Sequence, residues 1–423
     1  MPVIKPVSDL RNYNTILQDV DMGVPVFLAK NGRGRYVLLD IADYERREAS
    51  GWLASELERG WKSGEERGWI DGASRAVQAR TVLLSTDLYH RHADPNDHWN
   101  LATMFALARQ GRVRFAGVLC DDDRALKEDG SYFHFGDPAV QAVAQLNYLC
   151  GMAVPVAVGS RRRVRGEDDL RAALAAPAGG YVRLVLETLQ DAPGPVDIHV
   201  CGSCKDVLVA LRAAPELFER KARIFLNAGT WAAQEPLEYN VSLEPWAYSQ
   251  LFRAPCEVCW APCFDVLRPG GPYACSARAN YYLVRQREIV PALSDAVKNY
   301  LDFMMGPVFD QGWLSYLRGP VDEALLASWT GDDREMWSTP GFLVSAGLGV
   351  APDGSLQDAA APGGIFRYRP VRVDCAPDGR IAWEDCAESN VLMFENAGPD
   401  VYQAAMPRAL RTILASLPDI PRP

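Results

Sequence analysis

Carboxylates and an amide crowd one short stretch of the chain, "STDLYHRHADPNDHWNLATMFAL", which holds Asp87, Asp94, Asn96 and Asp97. Like charges repel, so such a cluster is either a solvated loop closing on a helix cap or a place where oxygen ligands hold something. Two chemistries suit the second reading: a hard cation or the hydroxyls of a sugar. The stretch follows a strand-like run, "TVLLSTD", and leads directly into helical text. Its value depends on where the rest of the chain sets that strand.

Cysteine is the other residue type with metal-like spacing. Cys201 and Cys204 stand three apart, as do Cys256 and Cys259, with Cys263 and Cys275 beyond. Zinc or an iron–sulfur cluster would use such pairs. Against this, "CEVCWAP" reads as a strand, where positions three apart face opposite sides of the sheet. Ten cysteines without an export signal read as reduced thiols.

The elements that must position these residues are legible from Thr81 onward. Strand-like "TVLLSTD", "VRFAGVLC", "VPVAVG", "VDIHVCG", "RIFLNAG" and "CEVCWAP" alternate with helical "WNLATMFALARQ", "DPAVQAVAQLNYLCGM" and "CKDVLVALRAAPELFERK". Repeated strand–helix alternation predicts an α/β fold, a mainly parallel sheet with helices on both faces. Ligands in such folds sit at the carboxyl ends of strands, which is where Asp87 falls.

The front of the chain is built differently. "VSDLRNYNTILQDVDMG" carries Leu10, Tyr13, Ile16, Leu17 and Val20 on one helical stripe, with Ser8 placed as N-cap. "VPVFLAK" and "RYVLLDI" read as strands joined by "NGRG", a hairpin signal. A further helical stretch begins near Ala42, and residues 51–80 carry Trp52, Leu53, Leu57, Trp61, Trp69 and Ile70 in charged text. A segment of that kind folds on a partner or serves as a linker.

Charge divides along the same line. The formal net charge is −10, from 44 Lys+Arg and 54 Asp+Glu, yet residues 1–80 balance at 12 of each. An acidic body argues against broad nucleic-acid binding by residues 81–423, while Lys30, Arg33 and Arg35 leave a small basic face at the front. No apolar run reaches the ~18 residues a membrane helix needs, and a cytoplasmic protein is the expectation.

Two family resemblances follow from these residues. "VIKPVSDLRNYNTIL", "GVPVFLAKNGRGRYVLLDIADYE" and "LERGWKSGEERGWI" resemble the Phd/YefM antitoxins of bacterial toxin–antitoxin pairs. That resemblance implies a small α+β DNA-binding and dimerisation module over residues 1–50 and a toxin-binding tail or linker over 51–80. It also implies operator DNA contact by Lys5, Arg11 and Arg33, joined by Lys30 and Arg35, and a cognate toxin as partner. The alternative is a dimerisation platform without a DNA role.

Residues 81–418 resemble the nucleoside hydrolases that cleave N-ribosyl bonds. The strand ending in Asp87, the pair Asn96-Asp97 opening a helix, "VDIHVCGSCKDVLVALRAAPELFERKARIFLNAG" and "EYNVSLEPWAYSQLF" carry it, with "RPVRVDCAPDGRIAWEDCAESNVLMFENAG" as the closing hairpin and strand. The resemblance implies Ca2+ held by Asp87, Asp97 and the Lys205 backbone carbonyl, with Asp94 as a further ligand. It makes Asp87 the catalytic group that activates water, and puts Asn96, Asn227, Glu238 and Asn240 on the ribose. It implies a nucleoside or related riboside as substrate and a homodimer or homotetramer. The chemistry is coherent on its own terms. A departing base leaves an oxocarbenium-like sugar, which acceptors around the ring and an activated water serve best.

One departure from the family stands out. Its late His-Asp-Pro is replaced by "MWSTPGFLVSAG", giving Ser338 and Thr339. Asp94, Asp332 or Asp333 would have to supply the missing charge, and His90, His92 or His98 the missing proton. A ligand-sensing regulator without catalysis is therefore the competing expectation.

Overall fold

The computed structural model describes residues 3–12, 20, 26–30, 33–38, 79–90, 95–122, 137–232, 236–265, 275–306, 308 and 312–420. The chain divides into two units, Met1–Ser74 and Arg75–Pro423.

In the first unit β1 (Val3–Pro6) lies parallel to β2 (Val26–Lys30), and β2 lies antiparallel to β3 (Arg33–Leu38). Lys30 pairs with Arg33, so only Asn31 and Gly32 connect the two strands. Val26 and Leu28 are buried and Phe27 between them is exposed, the period of two that a half-buried strand shows. "VSDLRN" forms a 3-10 helix, Val7–Asn12. Tyr13, Ile16 and Leu17 of the expected helical stripe lie outside the described residues, as do residues 51–78 of the expected tail. Arg11, Lys30 and Arg35 are exposed, while Lys5 and Arg33 take their places in β1 and β3.

The second unit is an α/β fold around a central sheet. Among the described residues its strands are β4 (Arg80–Thr86), β5 (Val113–Cys120), β6 (Val156–Val158), β7 (Val196–Cys201), β8 (Ala222–Asn227), β9 (Glu257–Ala261), β10 (Phe366–Cys375), β11 (Ile381–Asp385) and β12 (Val391–Asn396). They lie in the order β11-β10-β12-β9-β8-β7-β4-β5-β6. Pairings from β6 across to β12 are parallel; β10 runs against them, antiparallel both to β12 and to β11, so that β11 returns to the common direction.

Apolar side chains on both faces explain this arrangement. Val82 and Leu84 join one buried cluster, with Trp99, Phe105, Tyr300 and Tyr402; Leu83 between them joins the other, with Tyr181, Leu208 and Trp260. A strand buried on both faces has helices on both, as the strand–helix alternation predicts. Truncating a fully buried Phe105 or Trp99 to Ala would cost ~3–5 kcal/mol.

The expected helix over "CKDVLVALRAAPELFERK" divides into α-helices Lys205–Ala213 and Pro215–Lys221. Ala214 between them sits at φ −148°, ψ 62°. Proline lacks the N–H and disfavours helical geometry in the residue before it. The chain starts the sheet at β4 and extends it to β5 and β6 on one side and to β7, β8 and β9 on the other. The C-terminal ends of β4 and β7 therefore flank the point where strand order reverses.

Candidate active site

Asp87 leaves β4 at that point and is 4% exposed. Thr86 Oγ1, the last side chain of the strand, donates to Asp97 Oδ1 at 2.6 Å. Asn96 and Asp97 open α-helix Asn96–Arg109, whose N-cap is Pro95 with no side-chain cap bond. Asp97 is therefore not the cap of this helix. Asp97 instead lies in the first turn, where the helix dipole favours an anion.

The structure adds residues that the sequence reading missed. Asp121 leaves β5 fully buried and accepts from Ser203 N at 2.6 Å. A Cβ at Gly202 would collide with Asp121 Oδ2 and come to 3.0 Å from Asp87 N, so only glycine lets this loop pass between the two acids. Cys201, which ends β7, gathers the cluster: burial raises its thiol pKa, and Asp97, Asp87 and Asp121 raise it further, against a hydrogen bond with Ser338. Asn100 Nδ2 reaches Ser338 Oγ at 3.5 Å, while Asn100 Oδ1 is buried without a hydrogen-bond partner among the described residues. Asp121 was readable by the rule that selected Asp87, a carboxylate just past a parallel strand. Asn100 and Cys201 gave no such signal, because only tertiary packing sets them beside Ser338.

Across the sheet the lining is neutral. Asn227 ends β8 and accepts from Asn280 Nδ2 at 2.6 Å, and Asn240 Nδ2 reaches the Asn227 carbonyl at 3.4 Å. Asn280 Oδ1 is buried without a partner among the described residues. Asn227, Asn280, Cys201, Ser338, His199 and Tyr368 are among the residues that line a small cavity here. Glu238 caps the short helix Tyr239–Leu243, accepting from Gly229 N at 2.8 Å, Asn240 N at 3.0 Å and Val241 N at 3.2 Å. Burial raises its pKa, and those three backbone donors work the other way. In this arrangement its carboxylate holds the loop that carries Asn240.

The other expected groups are dispersed. Lys205 begins a helix, is 1% exposed, and sets Nζ 3.7 Å from Asp206 Oδ2. Asp332 and Asp333 are exposed, and Asp333 starts the strand Asp333–Met336. Asp94 and His92 lie outside the described residues, as does the side chain of His90. His98 is buried, with Nε2 2.8 Å from Tyr89 O. Thr339 meets the Tyr282 hydroxyl at 2.6 Å. The histidine in the cavity wall is His199, which bonds Ser345 Oγ at 2.9 Å; that hydroxyl donates to Asp197 at 2.7 Å. Burial first, then Arg223, holds its pKa well below the ordinary value, so the imidazole is neutral.

Calcium is the cofactor implied above, and the oxygen donors of buried Asp87, Asp97 and Asp121 are of the type that suits it. Among the described residues no three His, Cys, Asp or Glu side chains converge as a metal site. Among the described residues the cysteines form no such cluster either, and burial pushes the Cys256 and Cys275 thiols up to about 12 and Cys204, Cys259 and Cys263 well above the ordinary value.

With this geometry in view, similarity to known proteins can be weighed. No family model matches the chain. It is 26% identical over 203 residues to the pyrimidine-specific ribonucleoside hydrolase RihA of Salmonella typhimurium, covering 44% of this chain and 63% of that protein. RihA of Salmonella enteritidis is 27% identical over 175 residues, 39% of this chain and 54% of that protein. The chain thus spans less than two thirds of the length of these curated relatives. Among solved structures, an inosine-guanosine nucleoside hydrolase aligns at TM-score 0.41 and 12% identity, covering 80% of this chain and 98% of its own. An inosine-uridine preferring nucleoside hydrolase from Bacillus anthracis gives 0.41 and 15%, with 80% and 99% covered. Scores of that size carry no argument, and the α/β fold stands on its strand order.

Proposed function

We propose that the second unit hydrolyses the N-glycosidic bond of a ribonucleoside or related riboside. The observation that carries this reading is the mouth of the sheet at β4 and β7. Buried Asp87, Asp97 and Asp121 lie on one side, and buried amides with an unused acceptor, Asn100 Oδ1 and Asn280 Oδ1, reach the same cavity or its lining. Unused buried acceptors call for donors, and sugar hydroxyls supply them. The similarity to the ribonucleoside hydrolases RihA supports the same class.

Asp87 takes a proton from the attacking water as its oxygen bonds to the anomeric carbon and the C–N bond breaks. The electron pair leaves with the base, which takes a proton from solvent, and Asp87 gives up to solvent the one it gained. Asn96, Asn227 and Asn240 orient the ribose, and Glu238 fixes the Asn240 loop from behind. Asp87, Asp97 and Asp121, with the Lys205 carbonyl, are the groups that would hold calcium. When bound, the ion would supply Lewis-acid chemistry, lowering the pKa of a water. With Ser338 and Thr339 where an imidazole and a carboxylate are expected, those two positions supply no acid for the leaving base. General acid help is worth ~10²–10⁴-fold, so turnover is slow. A panel of ribonucleosides assayed for free base tests the reading. No release from any of them, with calorimetric binding of one, replaces it with the sensor reading that Ser338 and Thr339 favour.

The first unit is proposed to bind duplex DNA as a dimer through Lys5, Arg11, Lys30, Arg33 and Arg35, and a toxin through residues 51–80. The exposure of Arg11, Lys30 and Arg35 supports the DNA part. Retardation of upstream DNA that weakens steeply with salt is expected of the full chain. No shift at low salt would leave a dimerisation platform.

A further inference from the structure

Four residues beyond Asn227 lies Trp231, and β11 brings Trp383 to the same place. Arg278 sits between them, its guanidinium carbon 5.7 Å from the Trp231 ring centroid and 4.9 Å from that of Trp383. Both indoles are fixed: Trp383 Nε1 donates to Trp231 O at 2.8 Å, and Trp231 Nε1 to Asp265 Oδ1 at 2.6 Å. Ser276 Oγ donates to that same carboxylate oxygen at 2.9 Å and accepts from Arg278 N at 3.2 Å. Two residues after Arg278 comes Asn280, which bonds Asn227 in the cavity wall.

Arg278 differs from its neighbours in having no acid. Arg223 pairs with Asp197 at 2.7 Å and Arg369 with Asp385 at 2.9 Å, whereas among the described residues no carboxylate pairs with Arg278. Its Nε is buried without an acceptor. Stacking on indoles is worth ~0.5–2 kcal/mol and accounts for the sandwich. It does not account for a half-buried cation left without a counter-charge in a chain of net charge −10. A planar fork held rigid between two rings is well suited to two oxygens of a phosphate.

Resting on the hydrolase reading, we infer that Arg278 binds a phosphate on the riboside, so that the substrate class is a phosphorylated N-riboside such as a nucleoside 5′-monophosphate. In that reading the oxygen ligands would hold the vicinal 2′ and 3′ hydroxyls, which leaves the exocyclic 5′ position for the phosphate.

Calorimetry of the full-length wild type with ribose 5-phosphate and with ribose gives the first test. The phosphate should bind about tenfold tighter or better, the worth of a charge-assisted pair. Base release is then compared for nucleosides and their 5′-monophosphates in wild type, Arg278→Ala and Arg278→Lys, with melting temperatures to confirm folding. The kcat/KM ratio of monophosphate to nucleoside should collapse toward one in Arg278→Ala. Arg278→Lys should fall between, keeping the charge but not the fork. Equal binding of ribose and ribose 5-phosphate by the wild type overturns the inference, as does an equal loss on both substrates in Arg278→Ala. Preferential binding of the phosphate without base release from any substrate sinks the hydrolase reading and leaves the phosphate site standing.

Discussion

The two sides of the sheet's open end differ in how their polar groups are used. At β4 and β5 the acids Asp87, Asp97 and Asp121 are buried close enough to raise one thiol together. At β8 the lining is amide, and Glu238, the acid nearest Asn240 in sequence, is already bound to three backbone N–H groups. The first side concentrates negative charge, part of it met by the Thr86 hydroxyl at Asp97 and the Ser203 N–H at Asp121. The second is nearly neutral and rigid, fit to hold hydroxyls in place. In the proposed reading chemistry belongs to the acidic side and positioning to the amide side, although the chain supplies carboxylates to both.

The largest expected effect breaks or keeps that division at once. Asp87→Asn preserves shape and removes the base, so base release should drop by ~10²–10⁴-fold or more. A variant that keeps more than a tenth of wild-type turnover would move the base elsewhere. Next comes the cation. Asp97→Ala should abolish calcium binding in a calorimeter, since a small hard-ligand set does not survive the loss of a carboxylate. Equal stoichiometry in variant and wild type would end the metal proposal.

Glu238 sharpens the contrast from the other side. As a cap, its change to Ala should lower stability by ~0.5–2 kcal/mol, read from denaturant midpoints. It should raise KM through Asn240 rather than remove the chemistry. A loss of kcat without a loss of stability would make Glu238 a group that acts on substrate directly.

Asp302, on the helix Asp295–Met305, gives the smallest effect and a buried acid for comparison. Burial first, then Asp322 and Glu323, pushes its pKa up to about 6, against a hydrogen bond from Trp329 Nε1. A carboxyl whose folded pKa exceeds its unfolded value contributes stability when protonated. That contribution is complete below about pH 4 and is lost as pH rises through about 6. Asp302→Asn should flatten this part of the melting-temperature profile, and an unchanged slope would assign the pH dependence to other groups.

Much of the fold was legible in the residues. Runs such as "VRFAGVLC" became strands with the expected limits, because apolar β-rich text between turns has few other uses. The break at Pro215 was written in the proline yet overlooked, since apolar periodicity continues across it. Asp87 was legible because it follows the first strand of the parallel sheet. Glu238 was legible as important but not as a cap, since glutamate is an unusual N-cap and its three donors come from two separate turns.

The sequence by itself determined the strand–helix alternation, the two unlike units of charge and the carboxylates beyond β4. Hydrophobic periodicity and local charge are properties of neighbouring residues, so no fold is needed to see them. Tertiary structure alone decided that Asp121 faces Asp87 across Gly202, that Asn100 meets Ser338, and that Arg278 lies between Trp231 and Trp383. Each of those contacts joins distant segments, and the sheet order that brings them together is set by burying both of its faces rather than by any short stretch of chain.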